Sequence, residues 1–158
     1  MKNVFILTVF IVCFFLQPLC VYGAISVEDS KMITQQLEAA TKAKDIPAVM
    51  KLLAPSVDIV SIVTGNHAGS AKLNYQQYQR VLETTWPLSR EYAYQRSNET
   101  IDIAENGEKA VVKADINEKG FMNNEFFRSI TNEILTLEEV DGKILITKIN
   151  WQTELFDK

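Results

Sequence analysis

The sequence predicts an α+β protein in which helices come first and a meander of antiparallel strands follows. Helical patterns occupy the chain as far as about Trp86, and long strand patterns fill most of the remainder. The strands are separated by turns at residues 105–108 and 140–143, which contain Asn-Gly and Asp-Gly. These dipeptides between alternating apolar runs are the strongest short-range signal for a hairpin. We therefore expect three helices packed in a curved antiparallel sheet, within a single domain of residues 24–158.

Residues 1–23 predict a cleaved signal peptide. Lys2 supplies a short positive region, residues 4–16 form an apolar run that only Thr8 interrupts, and Pro18 ends it before small residues. We expect cleavage after Gly23 or Ala24 and an exported protein, periplasmic or secreted, without membrane attachment. A retained membrane anchor is the alternative, but the apolar run is short for a spanning helix of about 20 residues.

Cysteine usage and net charge exclude several classes of function. Cys13 and Cys20 both lie in the predicted leader, so the mature chain has no thiol for a disulfide, a nucleophile or a metal. Removal of the leader takes away one basic residue, Lys2, and no acidic one, so the formal net charge changes from −4 to −5. A mildly acidic domain without a basic stripe does not suit nucleic acid. We expect no nucleic-acid partner, no metal and no cofactor.

Three helices are predicted from their caps and from apolar residues at helical spacing. The first covers residues 31–42 after a cap at Ser26 or Ser30, and the second extends from a cap at Asp45 to Pro55. The third covers residues 75–86 after a cap at Asn74. Their predicted apolar faces are Met32, Ile33, Leu37 and Ala40 in the first, Val49, Met50, Leu52 and Leu53 in the second, and Tyr78, Val81, Leu82 and Thr85 in the third.

Strand patterns occupy most of the second half of the chain. A β-branched run at residues 57–63 predicts one strand before the third helix, and residues 64–70 predict a loop. Long strands are expected at residues 90–105, 108–122, 125–140 and 143–155. The second alternates regularly, whereas the last two change apolar phase, which indicates a bulge or a bend. The residues concerned are Ala110, Val112, Ala114 and Ile116 in the second, Phe126, Ile130, Leu135 and Leu137 in the third, and Ile144, Ile146, Ile149 and Trp151 in the fourth.

This order of elements resembles the nuclear transport factor 2-like (NTF2-like) superfamily, including its SnoaL-like and DUF4440-like members. Residues 39–55 look like the helix pair of the family pattern "A…GD…A…LLAPD". Trp151, which follows Lys148-Ile149-Asn150 in the last predicted strand, also contributes to the resemblance. The resemblance covers nearly all of residues 28–156. It implies a cone-shaped sheet with a cavity that in many members holds a small apolar molecule, and often a homodimer through the outer sheet face. It implies no single reaction, because this scaffold hosts unrelated functions.

The catalytic positions of steroid-isomerase-type members are not kept in this chain. Members of that type have a tyrosine on the first helix, which donates a hydrogen bond to an oxyanion. They also have an aspartate on the first strand, which abstracts a proton. Aligned through Asp45, the resemblance places Leu37 and Ser61 at these two positions. Neither side chain can perform that chemistry. The sequence therefore favours a protein without catalytic residues.

Other acidic and basic residues have a catalytic and a structural interpretation. His67 is the only histidine and could act as a general base, but flanking glycines indicate an exposed loop. Asp58 lies three positions from the family's aspartate position, which puts it on the opposite face of the strand. Arg96 could form an acid-arginine arrangement with Asp102 or Asp115. Surface ion pairing is the simpler expectation for these residues.

Aromatic residues indicate where a ligand would bind. Tyr92 and Tyr94 share one strand face, and Arg96 and Asn98 continue it. An aromatic wall with a few polar groups is typical of ligand pockets, and core filling is the alternative interpretation. The predicted pocket residues are Tyr78, Trp86, Tyr92, Tyr94, Arg96 and Trp151.

Three functional hypotheses follow from the sequence. The favoured one is an exported, non-enzymatic domain that binds a small apolar or amphipathic ligand in its cone. The second is a dimerising protein-interaction module that uses the outer sheet face. The third is a SnoaL-like isomerase, cyclase or hydrolase that uses His67, Asp58 or Asp102.

Overall fold

A computed structural model describes residues 24–65 and 68–156 of the chain. The predicted signal peptide and His67 lie outside these residues. Within the described part, no helix combines the length and the apolar character needed to cross a membrane. The elements are α1 (Val27–Ala43), α2 (Ile46–Lys51), β1 (Leu53–Thr64), β2 (Gly69–Leu73), α3 (Tyr75–Thr85), β3 (Ser89–Ile103), β4 (Lys109–Met122), β5 (Glu125–Val140) and β6 (Lys143–Phe156), with a 3₁₀ turn at Trp86–Leu88.

Each helix begins at a side-chain cap. The Ser26 hydroxyl accepts a hydrogen bond from the Asp29 N–H at 3.0 Å, and the Ser26 N–H donates to the Asp29 carboxylate at 3.0 Å, which completes a capping box. Asp45 and Asn74 cap α2 and α3 as predicted. These caps satisfy amide groups that have no partner within the helix and so define where each helix starts.

Three details of the helices differ from the prediction. Helix α2 ends at Lys51, and Leu53 and Pro55 already belong to β1, at an irregularity in its pairing with β6 where a proline is tolerated. Met32 is 50% exposed and Val81 is 39% exposed, so neither belongs to an apolar face. The spacing of these two side chains fits a helix, but each points toward solvent.

The sheet has six strands in the order β2-β1-β6-β5-β4-β3 and is mixed. Strand β6 pairs with β1 in parallel, whereas all the other pairs are antiparallel. The expectation of a purely antiparallel sheet is therefore wrong. The predicted loop at residues 64–70 is also wrong in part, because β2 begins at Gly69 and pairs with β1.

The predicted irregularity in β6 is confirmed. Thr136 pairs with Lys148 and Leu137 pairs with Ile146, so Thr147 is an extra residue that forms a bulge. Both Ile146 before the bulge and Ile149 after it are buried.

The predicted phase change in β5 is wrong. The odd-numbered residues from Ser129 to Leu137 are all buried, so one face points inward throughout. The apolar residues Phe126 and Ile130 belong to the outward phase. What changes along β5 is the chemistry of the inward face, which is polar at first and aliphatic later.

The inward face of the sheet thus has two parts. The part that we call the aliphatic half forms the main core with α1 and α2, and five of its members are Ala110, Val112, Leu135, Leu137 and Ile146, each 0% exposed. The part that we call the polar half consists of Glu118, Ser129, Thr131, Glu133 and Thr153.

Candidate functional site

A cavity of about 200 Å³ lies between the helices and the polar half of the sheet. One side is an aromatic wall, where the rings of Tyr78 and Trp151 contact each other at a centroid distance of 5.6 Å. Carboxyl and hydroxyl groups lie beside these rings on the neighbouring strands, and the Thr131 and Thr153 hydroxyls are 2.9 Å apart. We define the aromatic wall as Tyr78, Trp86, Tyr92, Tyr94 and Trp151.

Five of the six predicted pocket residues line this cavity, and they are the members of the aromatic wall. The sixth, Arg96, pairs with a residue that lines it. Ligand binding by these side chains stays a prediction. Asn98 does not continue the wall, because a pairing irregularity between Ser97 and Thr100 turns it outward, where it donates to Asp115 at 2.7 Å.

Glu133 is held by two donors inside the protein. The Arg96 Nη1 donates to Glu133 Oε1 at 2.5 Å, and the indole N–H of Trp151 donates to Glu133 Oε2 at 2.7 Å. The Arg96 and Glu133 side chains are each 4% exposed. Arg96 also donates to Glu99 at 2.8 Å. Glu133 is therefore a buried carboxylate that has a buried counter-charge.

Glu118 is the second carboxyl group of the cavity, and its surroundings are different. Its oxygens accept hydrogen bonds from the Tyr92 hydroxyl and, at 3.3 Å, from the Ser129 hydroxyl. Among the residues that the structure describes, no lysine or arginine forms an ion pair with it. Burial raises the pKa of Glu118, the two hydrogen bonds oppose this shift, and the charge of Glu133 adds to it.

The tyrosines of the aromatic wall remain neutral. Burial raises the pKa of Tyr78, Tyr92 and Tyr94 above the ordinary value, and nearby carboxylates add to the shift. Arg96 opposes the shift at Tyr94 without cancelling it. These hydroxyls therefore act at neutral pH as hydrogen-bond donors or acceptors, and not as bases.

Lys44 holds the end of α1 against the aromatic wall. Its Nζ donates to the carbonyl oxygens of Ser89 at 2.6 Å and of Trp86 at 3.3 Å. The same atom lies 5.6 Å from the centroid of the Tyr92 ring. Two members of the wall are thereby positioned by one cation.

Asp58 and Asp102, two of the other sequence-based candidates, are not among the residues that line the cavity. Asp58 pairs with Lys72 at 3.2 Å, and Asp102 pairs with Lys113 at 3.6 Å, in both cases between exposed side chains. The expectation of surface ion pairing is wrong for Arg96, which forms a buried pair with Glu133 and also binds Glu99. The alternative arrangement with Asp102 or Asp115 does not form either.

Glu118 and Glu133 were not predicted as site residues. Glu118 continues by one step the alternation that places Ala110 to Ile116 inward, and Glu133 precedes Leu135 and Leu137 in the same phase. Both glutamates are found when every second residue of β4 and β5 is assigned to the inward face, whether it is apolar or polar. No group of three or more potential metal ligands occurs within the described part of the chain.

The sequence matches no protein-family profile and no curated protein. Solved structures do resemble it. An NTF2-like protein of unknown function in nutrient uptake from Rhodospirillum rubrum is 16% identical, with a TM-score of 0.64 over 78% of this chain and 97% of that one. Hexachlorocyclohexane dehydrochlorinase LinA-type3 from Novosphingobium barchaimii is 12% identical, with a TM-score of 0.62 over 78% and 83%.

An NTF2-like protein from Cytophaga hutchinsonii is 14% identical, with a TM-score of 0.63 over 81% of this chain and 98% of that one. The structure therefore has the NTF2-like fold, as the sequence resemblance predicted. At this level of identity the likeness concerns the fold, and function has to be argued from the site.

Proposed function

We propose that this protein is a non-enzymatic domain that binds a small amphipathic molecule in the cavity of its cone. The observation that carries the proposal is the cavity itself, whose lining combines five aromatic rings with carboxyl and hydroxyl groups. Ligand sites are typically concave and mostly apolar, with a few polar groups that orient the ligand. The cavity volume of about 200 Å³ suits a small ligand.

The polar groups favour binding over turnover. Both oxygens of Glu133 already accept hydrogen bonds, from Arg96 and from Trp151, and this carboxylate is neutralised by the guanidinium. Glu118 then remains as the single carboxyl group of the cavity without an ionic partner among the described residues. General acid-base reactions commonly need a second group for the complementary proton transfer.

A catalytic role for Glu118 is the second candidate. Burial raises the pKa of Glu118 above the ordinary range of a carboxyl group, and a shift in this direction is common among general acids and bases. This candidate replaces the sequence-based one that used Asp58 or Asp102, because both of those residues form exposed ion pairs.

We also propose that the mature protein is exported and forms a homodimer. The apolar leader with its single lysine supports export. Exposed apolar residues on the outer face of the sheet, Ile62 at 40% and Ile134 at 37%, support association through that face.

The proposal is tested by purifying the full chain, with its leader, from an exporting host and recording its native mass spectrum. The expected spectrum contains a mature dimer cleaved near Gly23 that carries a small molecule released on denaturation. An NMR titration with 3,3-dimethylbutan-1-ol, a small neutral amphipathic probe, then follows the Trp151 indole signal. We expect a saturable shift of that signal.

A pair of variants on β5 provides the control. Thr131→Phe places a ring in the cavity, whereas Asn132→Phe places the same ring on the outward phase of the strand. We expect Thr131→Phe to abolish the probe-induced shift and Asn132→Phe to preserve it. A cavity that takes up neither a co-purified molecule nor the probe would contradict the proposed function.

A further inference from the structure

We infer that the ligand of this cavity is a small organic cation, an amine or a quaternary ammonium, held between the Glu118 carboxylate and the aromatic wall. This inference rests on the proposed function and specifies its ligand class. It is carried by the charges, the hydrogen bonds and the ring surfaces that face the cavity.

The charges that line the cavity are unbalanced. The lining contains two carboxyl groups, Glu118 and Glu133, and no lysine or arginine. Arg96 forms a buried ion pair with Glu133 and also binds Glu99, but within the described residues no lysine or arginine forms an ion pair with Glu118. A carboxylate removed from water is costly unless a counter-charge accompanies it. A bound cation would supply the charge that the fold omits at Glu118.

Glu118 retains capacity to accept further hydrogen bonds. Its Oε1 accepts from Tyr92 and its Oε2 accepts from Ser129, so each oxygen has one donor. A carboxylate oxygen has room for about two. Because both oxygens accept hydrogen bonds, these bonds favour the ionised form of Glu118 and hold its carboxyl group in place. Acceptor positions therefore remain for an ammonium N–H or for the methyl groups of a quaternary ammonium.

The aromatic wall also suits a cation. The faces of tyrosine and tryptophan rings attract cations, and cages of such rings are the usual recognition site for quaternary ammonium groups. Five rings line this cavity, and the Tyr78 and Trp151 rings contact each other. Lys44 Nζ, 5.6 Å from the Tyr92 centroid, already shows a cation beside one ring of the wall. An anionic ligand would instead meet two carboxyl groups.

The experiment uses three probes that share one branched head and differ in charge: choline, 3,3-dimethylbutan-1-ol and 3,3-dimethylbutanoate. Calorimetric or NMR titration of the mature protein at neutral pH gives their affinities. We expect choline to bind at least about tenfold more tightly than the alcohol. The two probes have the same shape, but only choline gains binding free energy from cation-ring and carboxylate contacts. The butanoate should bind more weakly than the alcohol.

Glu118→Gln keeps the shape of the side chain and removes its charge. We expect this variant to lose the preference for choline, so that it binds choline no more tightly than the alcohol. Glu125→Gln is the matched control, because it makes the same change at an exposed position in the turn region of β5, and it should keep the preference for choline.

The outcomes separate the two proposals. Binding of the alcohol without a preference for choline overturns the cation inference and leaves the proposed function standing. A preference that survives Glu118→Gln also overturns it. Failure of all three probes to bind overturns both proposals. Should Glu118→Gln fail to fold, the three affinities of the unaltered protein still decide.

Discussion

The aliphatic half and the polar half of the sheet lie on the same strands and the same inward phase, yet they differ in what they contribute. In β5, Leu135 and Leu137 are fully buried in the core, whereas Thr131 and Glu133 line the cavity. Backbone alternation directs all four side chains inward. The strand backbone thus sets the direction in which a side chain points. The residue type then decides whether that side chain packs in the core or lines the cavity.

The comparison extends to the two carboxyl groups of the polar half. Glu133 has a buried arginine as its partner, while Glu118 has only hydroxyl donors within the described residues. A carboxylate neutralised by the fold supports structure. A carboxylate left without a counter-charge raises the free energy of the empty cavity and leaves a role for a ligand.

The largest effect is expected from breaking the Arg96–Glu133 pair. Arg96→Met leaves Glu133 buried without a counter-charge, which should lower the free energy of unfolding by about 3 to 5 kcal/mol. Chemical denaturation measures this loss. Lys113→Met, which removes an exposed pair with Asp102, is the control and should cost less than about 1 kcal/mol. Equal losses in the two variants would contradict the structural role of the buried pair.

The next effect sharpens the contrast within β5. Leu135→Ala removes a fully buried side chain from the aliphatic half and should cost about 3 kcal/mol in unfolding free energy. Thr131 borders an existing cavity, so Thr131→Ala should lower the free energy of unfolding by clearly less, about 1 kcal/mol. Similar denaturation midpoints for these two variants would show that the halves do not differ in their contribution to stability.

The smallest effect is the pH dependence that Glu118 contributes. Because its pKa is raised in the folded state, the folded protein binds more protons than the unfolded chain between the ordinary and the raised pKa. The contribution to stability is complete below the ordinary value and is lost as pH rises through the raised one. Glu118→Gln should therefore flatten this decline when unfolding is measured from acidic to neutral pH. An unchanged slope would assign the pH dependence to other groups.

Local signals in the sequence predicted most of the fold. Asp45 and Asn74 cap helices as expected, and the turn at Asp141 and Gly142 adopts positive φ values of 51° and 74°. Such features depend on residues close in the chain. Strand β2 has no comparable signal, because its side chains are mostly exposed and its backbone pairing with β1 creates it.

The site was predictable only in part, for a physical reason. The aromatic wall is visible in the sequence because its residues are large and clustered. Glu118 and Glu133 are invisible to a search for apolar alternation, since the inward phase is polar where they occur. The parallel pairing of β1 with β6 likewise depends on the whole topology and not on either strand alone.

The bulge at Thr147 has a consequence for how this protein can evolve. Inward-facing residues of β6 have even numbers before the bulge, such as Ile146, and odd numbers after it, such as Trp151 and Thr153. Insertion or loss of a single residue beyond Thr147 would exchange the surfaces that these side chains occupy. The number of residues after Thr147 therefore decides which side chains of β6 face the cavity, independently of which residues they are.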